Sequence, residues 1–144
     1  MTPFRSIDPA RRQALSWTVL RFTLAGLVAA HGVARFGYDA VAPFGLWLQS
    51  QGWPQGPALA IGITGLEIIA PLLLVLGRCV RPLCLLLAAV YAMGIVLVHA
   101  KAGWFVVGLG RNGSEYSVLL IICLLLLALQ HPASSSTPSN PKTS

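Results

Sequence analysis

The chain has 144 residues, of which 56% are hydrophobic and only 10% are charged, and its mean hydropathy is +0.74. A soluble domain carries roughly 25% charged residues, so the composition excludes a soluble globular protein and indicates an integral membrane protein. The net charge of +6 comes from basic residues that flank apolar runs. Because no basic cluster is interleaved with aromatic residues, nucleic-acid binding is not expected.

The chain begins with a basic segment, residues 1–16, which is predicted to be a cytoplasmic tail. The apolar run from Trp17 to Ala34 follows and is predicted to be the first membrane-spanning helix. A basic segment before an apolar run also occurs in cleaved signal peptides. Arg21 interrupts this run and three more apolar runs follow, so we expect an uncleaved anchor.

The loop from Phe36 to Gln55 contains large apolar residues that favour the membrane–water interface. Prolines bound this group on both sides. The loop is therefore predicted to form a short helix on the outer membrane face. The interfacial side chains are Phe44, Trp47, Leu48 and Trp53.

Three further apolar runs extend from Pro57 to Leu76, from Pro82 to Ala100 and from Glu115 to Gln130. A spanning helix needs about 20 residues. Of the four apolar runs in the chain, the second and third fit this length, whereas the first and fourth need flanking residues or local bilayer thinning. The sequence thus predicts an all-α fold, an integral membrane four-helix bundle over residues 17–130, with three spans as the alternative.

Two segments fall outside these runs. The stretch AGWFVVGLG, residues 102–110, is expected to be an interfacial or re-entrant piece. Residues 131–144 are rich in Ser and Pro and almost uncharged. Because such a segment cannot bury enough apolar surface to become ordered, we expect a disordered C-terminal tail.

The distribution of basic residues predicts the orientation of the bundle. Six of them flank the spans on one side, namely Arg5, Arg11, Arg12, Arg78, Arg81 and Lys142. Three lie on the other side, namely Arg35, Lys101 and Arg111. By the positive-inside rule both termini are expected in the cytoplasm of a bacterial cell, with the bundle in the cytoplasmic membrane.

With this topology, five ionisable residues from four helices fall in the outer half of the bundle. They are His31, Arg35, Glu67, His99 and Glu115. Ionisable side chains within a membrane usually face the protein interior and often mark a site. Pro71 lacks the N–H that would bond the carbonyl of Glu67, so a kink is expected beside this carboxylate.

Glu67, His31 and His99 are the candidate catalytic residues. Arg35, Glu115 and Tyr116 are candidate charge partners or ligand-binding residues. Each has a structural alternative as well. Glu67 is also suited to hold two helices together through a polar contact. Glu115, which follows Ser114, is suited to the positive N-terminus of a helix, and Tyr116 is suited to the aromatic belt at the membrane interface.

Cofactor chemistry finds little support in the sequence. A heme held by two histidines needs both rings at matched depth. His31 and His99 meet this condition, but no other heme signal is present. A metal site of the two histidines with Glu115 has equally weak support, so no metal is expected. The three cysteines form no C-x-x-C pair and are interpreted as apolar filler; they are Cys79, Cys84 and Cys123.

Three stretches together resemble the DoxX family of small four-helix membrane proteins. These are LRFTLAGLVAAHGVARF, GLEIIAPLLLVLGRCVRPLCLLLAAVYAMGIVLVH and GWF…NGSEYSVLLI. The matched positions include Arg21, Gly26, His31, Gly32 and Arg35 in the first stretch. The second contains G-x-E and G-x3-R, and the third has the Glu-Tyr pair that opens the last span. The order and spacing of these motifs carry the resemblance.

The resemblance implies a four-helix bundle in the bacterial cytoplasmic membrane and kinship with the DoxD subunit of thiosulfate:quinone oxidoreductases. We therefore expect a membrane subunit of a quinone-linked oxidoreductase or redox-stress complex, with quinone as ligand and an oxidoreductase subunit as partner. The alternative is a non-enzymatic scaffold or small-molecule carrier, and a channel formed by a homo-oligomer is a weaker third hypothesis. In each case the lipid bilayer is the immediate environment.

Overall fold

The computed structural model describes residues 8–108 and 110–131, and within them every regular element is a helix. The helices are α1 (Pro9–Gly37), α2 (Val41–Ser50), α3 (Gly56–Val75), α4 (Val80–Ala102) and α5 (Glu115–Gln130). The all-α prediction is confirmed. The predicted disordered tail lies, apart from its first residue, outside the described residues.

Three helices, α1, α3 and α4, are long and apolar enough to cross a membrane. At 1.5 Å per residue, the 16 residues of α5 extend only about 24 Å, which is short of the ~30 Å hydrocarbon core. Large apolar side chains point outward from α1, α3, α4 and α5, as expected where lipid is the solvent. Examples are Val33, Ile61, Leu72, Leu86 and Leu129.

The first long helix begins eight residues earlier than the hydropathy predicted. Asp8 accepts a hydrogen bond from the backbone N–H of Arg11, and Pro9 occupies the first turn. An acidic N-cap followed by proline is a favourable helix start. Residues 9–16, predicted to be a tail, are therefore helical and continuous with the first span.

A tight turn joins α3 to α4. Gly77 has φ of +69°, and its N–H donates to the carbonyl of Leu74 while the N–H of Arg78 donates to that of Leu73. This pair of bonds is the Schellman pattern, which satisfies the last carbonyls of a helix and favours glycine at the left-handed position. Pro71 lies inside α3, which continues past it to Val75.

Near its end α4 changes from α-helical to π-helical geometry over Ile95–His99. Single π-turns inside α-helices are uncommon and frequently lie at functional sites. Here the turn carries His99.

The helices pack as two groups. In one, α3 lies against α1 and α2, and in the other α4 lies against α5. The buried core draws on α1, α3, α4 and α5 and is centred on α4, where Cys84 and Leu87 are fully buried. Although α3 and α4 are consecutive, they make few contacts with each other, so a gap is left between the two groups.

The predicted helix in the first loop is present as α2, and two glycines bring it against α3. A Cβ on Gly56 would lie 2.2 Å from the carbonyl oxygen of Gly45, and one on Gly45 would lie 2.7 Å from the Cα of Pro57. No side chain fits between the two backbones, so the contact requires both glycines. This close contact fixes α2 over the N-terminal end of α3.

Candidate functional site

An ion pair joins α1 to α3 inside the bundle. Nη1 of Arg35 lies 2.6 Å from Oε2 of Glu67, and the side chains are 19% and 3% exposed. The same Nη1 donates to Oγ1 of Thr64 at 3.3 Å, and that hydroxyl donates in turn to the carbonyl of Ala60 at 2.7 Å. A buried charge is tolerated when it is both paired and hydrogen-bonded, and Glu67 meets this condition through Arg35.

Gly32 allows this pair to form. A Cβ at this position would lie 2.8 Å from Cβ of Glu67 and 3.0 Å from its carbonyl carbon. The missing side chain lets α1 approach α3 closely at the level of the carboxylate. Arg35 follows three residues later on α1 and so reaches across at nearly the same height.

Arg35 has a second neighbour in α2. Its guanidinium carbon lies 4.5 Å from the ring centroid of Phe44, a distance at which a cation is attracted to the face of an aromatic ring. Phe44 also stacks with Trp47, with centroids 6.0 Å apart. The short helix therefore covers the ion pair with aromatic rings.

The gap between the two groups of helices encloses a cavity of about 1200 Å³. Its walls are mainly aliphatic side chains of α3 and α4, and some of these, such as Ile69 and Leu86, are also exposed on the bundle surface. The cavity therefore opens sideways between α3 and α4. Its polar residues include His31, Arg35, Glu67, Tyr91, His99 and Tyr116.

Three rings from three helices line one part of the cavity. The ring of His31 lies 5.9 Å from that of Tyr91 in an edge-to-face arrangement and 6.4 Å from that of Tyr116. These are typical distances for aromatic contacts. His31 of α1 therefore bridges α4 and α5 while Arg35, one turn on, binds α3.

Sequence reasoning missed Tyr91. This residue is 9% exposed, and its buried hydroxyl lies near the Glu67 carboxylate but forms no hydrogen bond of good geometry to any of the described residues. A buried hydroxyl without a partner is costly, and in native proteins it suggests that a ligand or water supplies the partner. The only signal in the sequence was one hydroxyl-bearing residue in the middle of an apolar span.

His99 and Glu115 bind the loop between α4 and α5 instead of joining the ion pair. Nδ1 of His99 lies 2.7 Å from the carbonyl of Asn112, and because a carbonyl only accepts, this nitrogen carries the proton in that bond. Oε1 of Glu115 accepts from the backbone N–H of Val106 at 3.0 Å. Glu115 does not line the cavity, whereas His99 does.

This loop contains the stretch predicted to be an interfacial or re-entrant piece, and its described residues between Ala102 and Glu115 are not helical. Backbone hydrogen bonds fold its described part back on itself, from Gly113 to Phe105 and from Glu115 to Trp104. The hydroxyl of Ser114 donates to the carbonyl of Gly103 and makes no capping bond to α5. The polar side chains of the loop therefore hold the loop itself.

Two glycines of α3 also differ from expectation. Small residues in a spanning helix typically let neighbouring helices pack closely, but a Cβ on Gly62 or Gly65 would meet nothing within 4 Å. Both line the cavity. They widen it on the α3 side instead of bringing helices together.

Among residues 8–108 and 110–131, no group of three or more His, Cys, Asp or Glu side chains is placed to hold a metal ion. The cavity thus offers an ion pair, aromatic rings and a free hydroxyl in an otherwise apolar chamber.

Comparison with known proteins gave one match. The model of the DoxX family matches residues 16–100, which cover α2, α3, about three quarters of α1 and all but the last two residues of α4. Searches of curated proteins and of solved structures found no match to the chain.

Proposed function

Because this chain belongs to the DoxX family, we propose that it is the membrane subunit of a quinone-linked oxidoreductase or redox-stress complex and binds a quinone in the cavity between α3 and α4. The observation that carries the proposal is the combination of a lateral apolar opening with polar groups confined to one region. A quinone has the matching shape, with an isoprenoid tail that partitions into lipid and a ring that bears two carbonyl acceptors. Ligand sites are typically apolar clefts of 300–1000 Å³ with a few placed polar groups, and this cavity is of that order.

The polar groups divide into donors and supports. The free hydroxyl of Tyr91 is a hydrogen-bond donor for a quinone oxygen, and the imidazole of His31 beside it is a proton carrier. Glu67 and Arg35 hold each other, so their pair fixes the geometry of α1 and supplies a local dipole. Because Nδ1 of His99 is bound to Asn112, its other nitrogen is left to face solvent or ligand.

Reduction of a quinone to a quinol takes two electrons and two protons. In this proposal the electrons come from a partner oxidoreductase subunit, and the present chain binds the ring and supplies protons through His31 and Tyr91. Glu67 takes part only indirectly: its carboxylate is held by Arg35, and this pair keeps the polar side chains of the cavity in place. Burial of the ring in an apolar chamber strengthens each of these hydrogen bonds.

The membrane placement is part of the proposal. We infer that α5 crosses the bilayer together with α1, α3 and α4, with local thinning around its shorter length. Both termini then lie in the cytoplasm of a bacterial cell, α2 lies on the outer face, and the cavity is in the outer half of the membrane.

A second function is supported by the ion pair itself. The Arg35–Glu67 contact fastens α1 to α3, and polar contacts of this kind stabilise helix association without any chemistry. A non-enzymatic scaffold, or a carrier of small apolar molecules, would use the same cavity without proton exchange.

The first experiment is extraction of bound quinone from protein purified in mild detergent. Gly62→Leu would fill the cavity from α3, since nothing stands near its Cβ. Gly26→Leu is the matched control, because a Cβ at Gly26 also meets nothing within 4 Å and Gly26 does not line the cavity. Quinone bound in a fixed ratio to the wild type and to Gly26→Leu, but lost from a folded Gly62→Leu, would support the proposal. Absence of quinone from every form would favour the scaffold.

A further inference from the structure

A second cavity lies at the opposite end of the bundle from the ion pair. It measures about 210 Å³ and is lined by Ala14, Trp17, Thr18, Arg21, Gln130 and His131. The first four belong to α1, and the last two are at the end of α5. Water occupies about 30 Å³ per molecule in the liquid, so this cavity has room for a compact polar group.

Arg21 is the unusual member of this cavity. Its Nε is buried and has no hydrogen-bond partner among the described residues. A Cβ on Gly77 would lie 2.9 Å from Nη1 of Arg21, so the guanidinium extends from α1 to the turn between α3 and α4. An arginine whose charge-assisted donor is buried without an acceptor carries a large desolvation cost.

No acidic side chain of the chain offsets this charge. Asp8 is at the N-terminus of α1, thirteen residues or about 20 Å of helix away. Glu67 is bound to Arg35 and Glu115 to the loop after α4, while Asp39 follows α1 at the other end. Arg21–Glu or Arg21–Asp pairs are therefore absent, and the one ion pair in the described part of the chain is that of Arg35.

The surroundings add further positive charge. Arg78 lies in the exposed turn that Arg21 reaches, Arg81 is exposed in the first turn of α4, and His131 borders the cavity. Nδ1 of His131 lies 3.1 Å from the carbonyl of Leu127 and so carries the proton in that bond, which leaves Nε2 free. An anion entering the cavity would meet the guanidinium of Arg21 and the side-chain amide of Gln130, and Nε2 of His131 adds a donor when the imidazole binds a second proton.

The position of the cavity indicates the chemical class of this anion. Helix α3 ends at Val75 and α5 ends at Gln130, so in the membrane placement proposed above, on which this inference rests, the cavity lies at the level where the apolar segments stop and phospholipid headgroups begin. Trp17 on its wall is typical of that interface. We infer that Arg21, Gln130 and His131 form a site for one phosphate group, which at this depth is the phosphodiester of an anionic phospholipid. Free phosphate shares the chemistry and is the other source to be tested.

The experiment measures the phosphatidylglycerol that stays bound to detergent-purified protein, by native mass spectrometry. The expected result is one lipid per wild-type chain and roughly tenfold or greater weakening in Arg21→Gln. Arg12→Gln removes an exposed cation from the same helix and should retain the lipid. Arg21→Lys distinguishes a specific phosphate site from a side chain that only anchors α1 at the membrane surface. Lysine also extends to the interface, but it lacks the planar fork and the Nε–H of arginine. This variant should lose most of the lipid.

Two further arms keep the result decisive. Gln130→Leu alters an exposed residue at the helix end and should weaken retention even if Arg21 variants fail to fold. Inorganic phosphate is added at millimolar concentration in a parallel thermal-stability measurement. Stabilisation of the wild type by phosphate, absent in Arg21→Gln and without lipid retention, would support the site with a free anion as its source. Equal lipid retention in wild type, Arg21→Gln and Arg21→Lys would overturn the inference.

Discussion

Arg35 and Glu67 are 32 positions apart in the sequence, yet their side chains lie 2.6 Å apart and join the first two long helices. Gly32 sets the distance between the helices, and Phe44 covers the guanidinium. The pair is therefore part of the helix packing as well as of the cavity wall.

Removal of the carboxylate should destabilise the protein strongly. Glu67→Ala leaves Arg35 mostly buried without its partner, and the expected loss in the free energy of unfolding is about 3 kcal/mol. Arg35→Ala should cost a similar amount. The double variant should cost clearly less than the sum, because each single change already removes the same contact. Unfolding titrations of the four proteins in detergent micelles test this, and strictly additive losses would contradict a direct pair.

Gly32 should tolerate no side chain. In Gly32→Ala the new methyl group would meet Glu67 at 2.8–3.0 Å, and relief of that overlap would move α1 away from α3 at a cost of about 1–3 kcal/mol. Gly26→Ala on the same helix is the control. It meets nothing within 4 Å and should be neutral or stabilising by up to about 1 kcal/mol through helix propensity. Thermal melts in detergent would measure both, and equal melting temperatures would show that the close approach is unimportant.

The hydroxyl of Tyr91 should have opposite effects on stability and on ligand binding. Tyr91→Phe removes a buried polar atom that has no partner among the described residues, so the ligand-free protein should be unchanged or stabilised by about 1 kcal/mol. If the hydroxyl donates to a quinone oxygen, the same variant should bind a short-chain quinone roughly tenfold more weakly. Quinone titration followed by tryptophan fluorescence, together with melts of the apo form, measures both quantities.

A matched variant isolates the hydroxyl in this experiment. Leu86 lines the same cavity and is 50% exposed, so Leu86→Met changes an apolar wall residue without removing a donor. It should leave the affinity within about twofold, since volume-conserving apolar exchanges are well tolerated. Unchanged affinity in Tyr91→Phe would remove Tyr91 from the proposed ring site.

The helices could largely be predicted from the sequence because apolar runs in this chain stop at charges, glycines and prolines. The run beginning at Glu115 coincides with α5, and the runs beginning at Pro57 and Pro82 start within two residues of α3 and α4. The start of α1 was missed because hydropathy was weighed without the capping signal. Asp8 followed by Pro9 is a helix start whether or not the next residues are apolar.

The candidate site was less predictable because it depends on which helix faces share a space. His31 and Arg35 are four residues apart and so lie on one face of α1, but only the packed helices show that Arg35 binds α3 while His31 contacts α4 and α5. The role of Gly62 could not be predicted for the same reason. The sequence does not distinguish a glycine that faces a neighbouring helix from one that faces a cavity. Here α3 and α4 are separated, so Gly62 faces the cavity between them.

The proposed orientation can be tested with a native cysteine. Cys79 is exposed on the turn between α3 and α4, whereas Cys84 is fully buried and Cys123 lies partly buried in α5. If both termini are cytoplasmic, a membrane-impermeant maleimide should label Cys79 only after the cytoplasmic face is opened, as in inverted vesicles. Labelling of Cys79 in intact spheroplasts would show the opposite orientation, with the turn between α3 and α4 on the outer side.

A second cysteine on the other side makes the same test two-sided. Cys79→Gly removes the native thiol, and glycine suits the position because Cys79 has φ of +51°. In that background Ser50→Cys places an exposed thiol at the end of α2. The four-span arrangement puts α2 on the outer face, so this thiol should be labelled in intact spheroplasts while the background protein is not. A third thiol at Gln130, Gln130→Cys in the same background, tests α5. It should react from the cytoplasmic side if the helix crosses the membrane, and from the outer side if α5 returns to the face from which it started.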